Sequence, residues 1–211
     1  VSQSSFLPDN EVISALEDIG DKFSTEYPVD ILVYSKNDDI LTSDAFVEIL
    51  EIEIALIEND LVANNSLTPS NPSTDTVAIP NYLAPFVEGD ASDLQQLKDI
   101  YADKTDQEIK DAFNAAKQNP LLAGAVINIL GEYDGNNSGK ATKITFKFDN
   151  SQREGEGTAE AFDRMVSVEL EMADVIKGMK FESVEPHALG QAVLDNAINE
   201  ASNESTNQLF M

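Results

Sequence analysis

The only histidine is His187, in EPHALG, and the chain has no cysteine. A transition-metal site or a nucleophile–base pair needs a second imidazole or a thiolate beside the first, so neither can be built around His187. His187 reads instead as a solvent-facing residue in the first turn of a helix opened by Pro186. One stretch does have the spacing of a cation site. In DGNNSG, Asp134, Asn136, Ser138 and Gly139 match the first half of a calcium loop, with oxygen ligands on alternate residues. The position that should supply the closing bidentate glutamate is Thr145. Because the residues after Gly139 read as strand, the stretch is expected to be a plain hairpin turn.

Aspartate and glutamate number 39 against 13 lysines and arginines, for a formal charge of -26. Carboxylates this numerous form pairs at catalytic spacing by chance, and EILEIE, ELEMAD and NDD read as solvated helix faces and loops. GEGTAE precedes a helix but has neither the G-x-G-x-x-G pattern after a strand nor a phosphate-loop lysine. No catalytic, cofactor-binding or metal-binding residue is therefore assigned, no cofactor is expected, and the chain is read as a non-enzyme. Phosphate backbones and anionic headgroups would be repelled over most of the surface, which argues against nucleic acid as a partner. The acid excess suits concentrated salt, where screening over a few ångströms removes self-repulsion. Asn64, Asn136 and Asn203 begin glycosylation sequons, whereas proline disqualifies the one at Asn71.

The elements that position these groups follow from periodicity. Val12, Leu16, Ile19 and Phe23 predict a first helix over Glu11–Phe23. VDILVYS is a strand, and TSDAFVEILEIEIALIEND is an amphipathic helix with Phe46, Ile49, Leu50 and Ile57 on its apolar side. Leu61–Ala91, with NNSLTPSNPSTD, reads as exposed loop. Capping boxes at Ser92/Gln95 and Thr105/Glu108 open two short helices that end at Asn119-Pro120. LAGAVINIL and KATKITFKFDN read as a hairpin, the second run alternating Ile144, Phe146 and Phe148 against Thr145 and Lys147. The next helix ends at Gly178 and is expected to bury Phe162, Met165, Val166, Met172 and Ile176. A strand over MKFESVE follows, then a last helix from Pro186 toward Met211. With 61–120 set aside as a loop and helical insertion, the order is βα, ββ, αβ, an α+β ferredoxin-like βαββαβ core in a single domain over 1–211. The longest apolar run, PLLAGAVINIL, is roughly half the length of a membrane span, and VSQSSFLPDN has no basic leader region, so a soluble chain without a signal peptide is expected.

Three stretches together resemble a known family: FLPDNEVISALEDIGDKF before a strand, NPLLAGAVIN before GKATKITFKFD, and HALGQAVLDNAINEASNESTNQLFM. They are similar to the large loop domain of resistance-nodulation-division (RND) exporters of the MMPL-like branch. The resemblance implies an extracytoplasmic porter-type domain at the cell membrane, forming part of the path for a hydrophobic or amphiphilic substrate. It further implies that an ion gradient handled in membrane helices supplies the energy. The expected partners are the protein's own transmembrane helices and second loop domain, a small hydrophobic or amphiphilic substrate, and a homo-oligomeric copy. The apolar close at Leu209, Phe210 and Met211 is then expected to lead into a span. A ligand-binding extracellular sensor domain of a membrane receptor is the alternative. The long polar segment and the acidity depart from the family pattern.

Overall fold

The computed structural model describes residues 26–67, 76–87, 89, 91–196 and 198. The helix expected over Glu11–Phe23 and the apolar close at Leu209–Met211 lie outside the described residues.

β1 (Glu26–Ser35) is followed by α1 (Ser43–Glu58), whose N-cap Thr42 accepts the Ala45 N–H through its side chain. On α1, Phe46, Ile49, Leu50, Glu53 and Leu56 are buried, a stripe at helical spacing. Asn59 then caps the single turn α2 (Asp60–Ala63). The stretch Leu61–Ala91, expected as exposed loop, instead contains packed pieces: β2 (Thr76–Val77), α3 (Ile79–Leu83) and a 3-10 turn over Ala84–Phe86. Val62, Ala78, Ile79 and Leu83 enter the core from it. β2 does so by pairing with the far side of a later strand, a long-range contact that local composition does not report.

α4 (Leu94–Ala102) and α5 (Asp106–Gln118) come next. The Thr105/Glu108 box has both of its reciprocal bonds. The Ser92/Gln95 box does not form, because Asp93 is the cap and accepts from the Gln96 N–H at 2.8 Å. The strand expected at Ala125–Ile129 is corrected to the helix α6 (Ala123–Asn128), leaving only β3 (Leu130–Gly131) as strand. A short apolar run fits either state by periodicity alone. Here the buried positions Val126, Ile129 and Leu130 lie three and four apart, and alanine favours helix.

β4 (Ala141–Asp149) alternates as expected, burying Ile144, Phe146 and Phe148. α7 (Thr158–Gly178) buries Met165, Val168, Glu169, Met172 and Ile176. Phe162, expected in the core, is 51% exposed, and Val166 is only half-buried. The strand expected at Met179–Val184 is displaced to β5 (Val184–Leu189), so Pro186 sits within a strand rather than opening a helix. Helix resumes over residues 191–196.

The sheet is antiparallel throughout, in the order β2-β4-β1-β5, with β3 also paired to β4. Val29 faces Phe146 and Ile31 faces Ile144 across the β1–β4 register, so these residues share one face. α1 and α7 touch one another and β5, and both cover that apolar face. The opposite face carries Asp30, Lys143 and Lys147, with Lys143 3.2 Å from Asp30 and Lys147 3.0 Å from Glu26. The result is a mixed α/β architecture whose sheet is dry on one side. α4 packs on α1, and α5 packs on α3 and α6. Leu94, Leu97, Tyr101, Ile109 and Phe113 from residues 61–120 join the same core.

Tyr101 ties these layers together. Its ring meets Phe46 edge-on at 5.0 Å, and its hydroxyl donates to the Pro80 carbonyl at 2.7 Å. Burial, with the charge of Glu53, holds that hydroxyl protonated well above the ordinary tyrosine range. Tyr101→Phe should cost about 1–3 kcal/mol at neutral pH, because the Pro80 carbonyl loses its donor. A raised folded-state pKa keeps its stabilisation below about pH 10 and loses it as pH rises further. Denaturant unfolding of both proteins at neutral pH and above about pH 10 should therefore show the wild type losing stability faster than the phenylalanine variant. Parallel losses would show that Tyr101 does not drive alkaline unfolding.

Candidate functional site

The loop from Met179 to Ser183 is bound on two sides. Glu48, on α1, accepts the backbone N–H groups of Glu182 at 2.7 Å, of Ser183 at 3.0 Å and of Val184 at 2.9 Å. Lys36, just past the end of β1, donates its ammonium to the Phe181 carbonyl at 2.7 Å, and its backbone N–H donates to Ser183 O at 2.8 Å. These bonds turn the chain away from strand at the place where sequence propensity favoured it.

Between this loop, β5 and the last turns of α7 lies a cleft of about 460 Å³. Ile176, Met179, Phe181, Val184 and Val193 supply its apolar lining. Lys36, Lys177, Glu185 and His187 supply its polar lining. Lys177 falls in the last turn of α7, where a cation also suits the helix dipole. Among the described residues Lys98 pairs with Glu51, Lys110 with Asp39, and Lys140, Lys143, Lys147 and Arg164 likewise with carboxylates. Lys36, Lys104, Lys117, Arg153, Lys177 and Lys180 make no ion pair among those residues. Of these, Lys36 and Lys177 line the cleft and Lys180 belongs to the loop that walls it.

His187 stands on β5, not in the first turn of a helix, and is exposed as expected. Its ring meets Tyr34 edge-on at 6.0 Å, and its Nε2 lies 3.4 Å from Glu185. In DGNNSG, Asp134 Oδ1 accepts from the N–H groups of Asn136 at 2.7 Å and Ser138 at 3.1 Å. Lys117 places its ammonium on Asn137 Oδ1 and the Tyr133 hydroxyl, over the ring of Phe113 at 5.0 Å. Thr145 lies within β4, with its hydroxyl bonded to Asp30. The turn is thus closed by a lysine and by its own backbone. The sequon residues Asn64 and Asn136 are exposed, and Asn203 lies outside the described residues.

GEGTAE is an internal tie. Arg164 binds Glu156 through two nitrogens, at 3.0 and 3.1 Å, and also donates to Asn65, the Asp149 carbonyl and the Ser151 carbonyl. The Arg164 hydrogen bonds hold the Glu156 carboxyl below its usual range.

Two groups read from sequence as solvated are buried: Glu53 in EILEIE and Glu169 in ELEMAD. Asn81 donates to Glu53 at 3.1 Å. Glu169 accepts from the Tyr27 hydroxyl and, at 2.8 Å, from the Ala192 N–H, and it leaves no room for a Cβ on Gly190. Helix phase could have found both, since Glu53 continues the Phe46, Ile49, Leu50 stripe and Glu169 the Met165, Val168, Met172 stripe. Among the described residues no group of three or more His, Cys, Asp or Glu could hold a metal ion. Compared with known proteins, the chain matches no family model and no curated sequence.

Raising sodium chloride from about 0.1 to 1 M shortens the screening length from about 10 to 3 Å and should raise Tm gradually. Calcium chloride at matched ionic strength should add no saturating gain. Asp134→Ala should cost about 1 kcal/mol through the lost turn hydrogen bonds, equally with and without calcium. A calcium gain that saturates at micromolar concentration and vanishes in that variant would make Asp134 a ligand.

Proposed function

We propose that the chain is an extracytoplasmic porter-type domain of an RND/MMPL-like exporter, lining part of the path of a hydrophobic or amphiphilic substrate without catalysing a reaction. The observation that carries this reading is that the first and last strands of the described residues meet at one end of the sheet. Asp30 pairs with Leu189, so the start of β1 and the end of β5 lie side by side at one end of the sheet. Glu169 fastens them there, holding Tyr27 of β1 and Ala192 after β5 on one carboxylate. A domain strung between two membrane spans has to return its chain to the place where it entered.

The strand order supports the same reading. The last strand, the first and β4 lie adjacent, with the short β2 and β3 on the far side of β4, an order that a split βαβ ferredoxin-like core would have. α1 and α7 follow β1 and β4 and cover one face, as that core requires. No helix among the described residues is long and apolar enough to cross a membrane, so the spans of this reading would lie outside them. The cleft beside β5 also suits a ligand-sensing receptor domain; about twelve encoded spans would favour the exporter, two spans and a signalling module the sensor.

Sequencing the reading frame on both sides of these 211 residues tests the proposal. About twenty mainly apolar residues should follow Met211 closely, and a similar stretch should end shortly before Val1. A frame that closes within a few residues of Met211 overturns the exporter reading.

A further inference from the structure

We propose that the cleft beside β5 binds a small amphiphile with one anionic head, its apolar body on Phe181, Met179 and Ile176 and its head between Lys36 and Lys177. This deepens the exporter reading by naming a class of cargo and rests on that reading for its transport role alone.

Charge is the first argument. In a chain with 39 acids and 13 lysines and arginines, carboxylates are plentiful partners for a lysine, and half of the described lysines have taken one. Lys36 and Lys177 do not among the described residues, yet both line one cleft. An ammonium has three donors. Lys36 spends one on the Phe181 carbonyl, which fixes its head at the rim and leaves two directed elsewhere. Lys177 is exposed, and its ammonium makes no hydrogen bond or ion pair among the described residues. Among the described residues the only carboxylate lining the cleft is Glu185, and His187 stands 3.4 Å from it. The local balance therefore favours an anion, opposite to the sign of the surface as a whole.

Shape is the second argument. A volume of about 460 Å³ lies within the range of small-molecule sites, and its apolar side chains come from α7, the 179–183 loop, β5 and residue 193. Glu48 and Lys36 hold the loop backbone from both sides, so the apolar wall is preformed. Preforming a wall spares the ordering cost that weakens binding to loose surfaces.

Decanoate, below its micellar concentration, is the probe, with decanol and decyltrimethylammonium as neutral and cationic counterparts. Calorimetry on the 211-residue chain gives the affinities. His187, the only histidine, gives a single imidazole NMR signal at the cleft that reports where binding occurs. Decanoate should shift that signal. Lys177→Gln alone, and with Lys36→Gln, should weaken decanoate about tenfold, in keeping with a charge-assisted hydrogen bond, and leave decanol unchanged. Phe181→Ser should weaken both. Lys177→Gln keeps the test valid if the double variant folds poorly, since Lys177 is exposed and makes no hydrogen bond or ion pair among the described residues. The proposal is overturned if decanoate leaves the His187 signal unmoved, if Lys177→Gln leaves its affinity unchanged, or if decyltrimethylammonium binds more tightly. These outcomes are independent of the flanking reading frame, so the binding site and the exporter role can fail separately.

Discussion

β1 is paired on both sides, with β4 from Glu26 to Tyr34 and with β5 from Asp30 to Ser35, and its register decides which side of the sheet is dry. A slip of one residue would turn Val29, Ile31 and Val33 to water and push Asp30 and Tyr34 against α1 and α7. Each buried aliphatic is worth about 1.5–3 kcal/mol, and an inward Asp30 would also lose Lys143 and Thr145. The same register sets the cleft, because Lys36 emerges directly from β1 and β5 is aligned on it. Position and stability thus rest on one strand pairing.

Around that sheet several acids act as acceptors for backbone N–H groups. With few cations to pair with, these carboxylates take up backbone N–H groups instead. Glu48 gathers three in the approach to β5, Glu169 takes the first turn of the last described helix, and Glu108 closes a capping box. Arg164 is the converse case, a cation whose nitrogens bind the two ends of the 149–156 loop and Asn65. Solvation of the surface carboxylates and internal carboxylate ties together let so acidic a chain fold around an ordinary core.

Legibility in the sequence follows the range of the interactions. β1, β4, α1 and the Thr105/Glu108 cap were readable because alternation, helical stripe and capping box are local signals. The failures have long-range causes. Met179–Ser183 has strand composition, but Glu48, more than a hundred residues earlier, and Lys36 occupy its backbone groups. Pro186 fits a helix start by local rule, yet it sits in an edge strand, where a missing N–H costs nothing if it points outward. Phe162 belongs to an apolar pattern by type but falls off the stripe that Met165, Val168 and Met172 define. The cleft was not legible at all, since Lys36 and Lys177 stand far apart in the chain.

β5 is the edge of the sheet, and its chemistry limits what the neighbouring cleft can hold. Pro186 lies opposite Val33 and has no N–H, so Val184, Pro186 and Ala188 are the residues whose backbone groups point away from β1. Glu48 takes the Val184 N–H at 2.9 Å, and Pro186 offers none. Ala188 is left as the one outward N–H of the strand. A peptide adding itself as a further strand would meet one donor where a regular edge of this length presents three, which is how natural sheets discourage edge pairing. A molecule seated beside β5 must therefore be held by side chains. Those available are the apolar surface of Ile176, Met179 and Phe181 and the ammonium groups of Lys36 and Lys177, a set that matches a compact amphiphile with an acidic head and gives an extended chain little to bind.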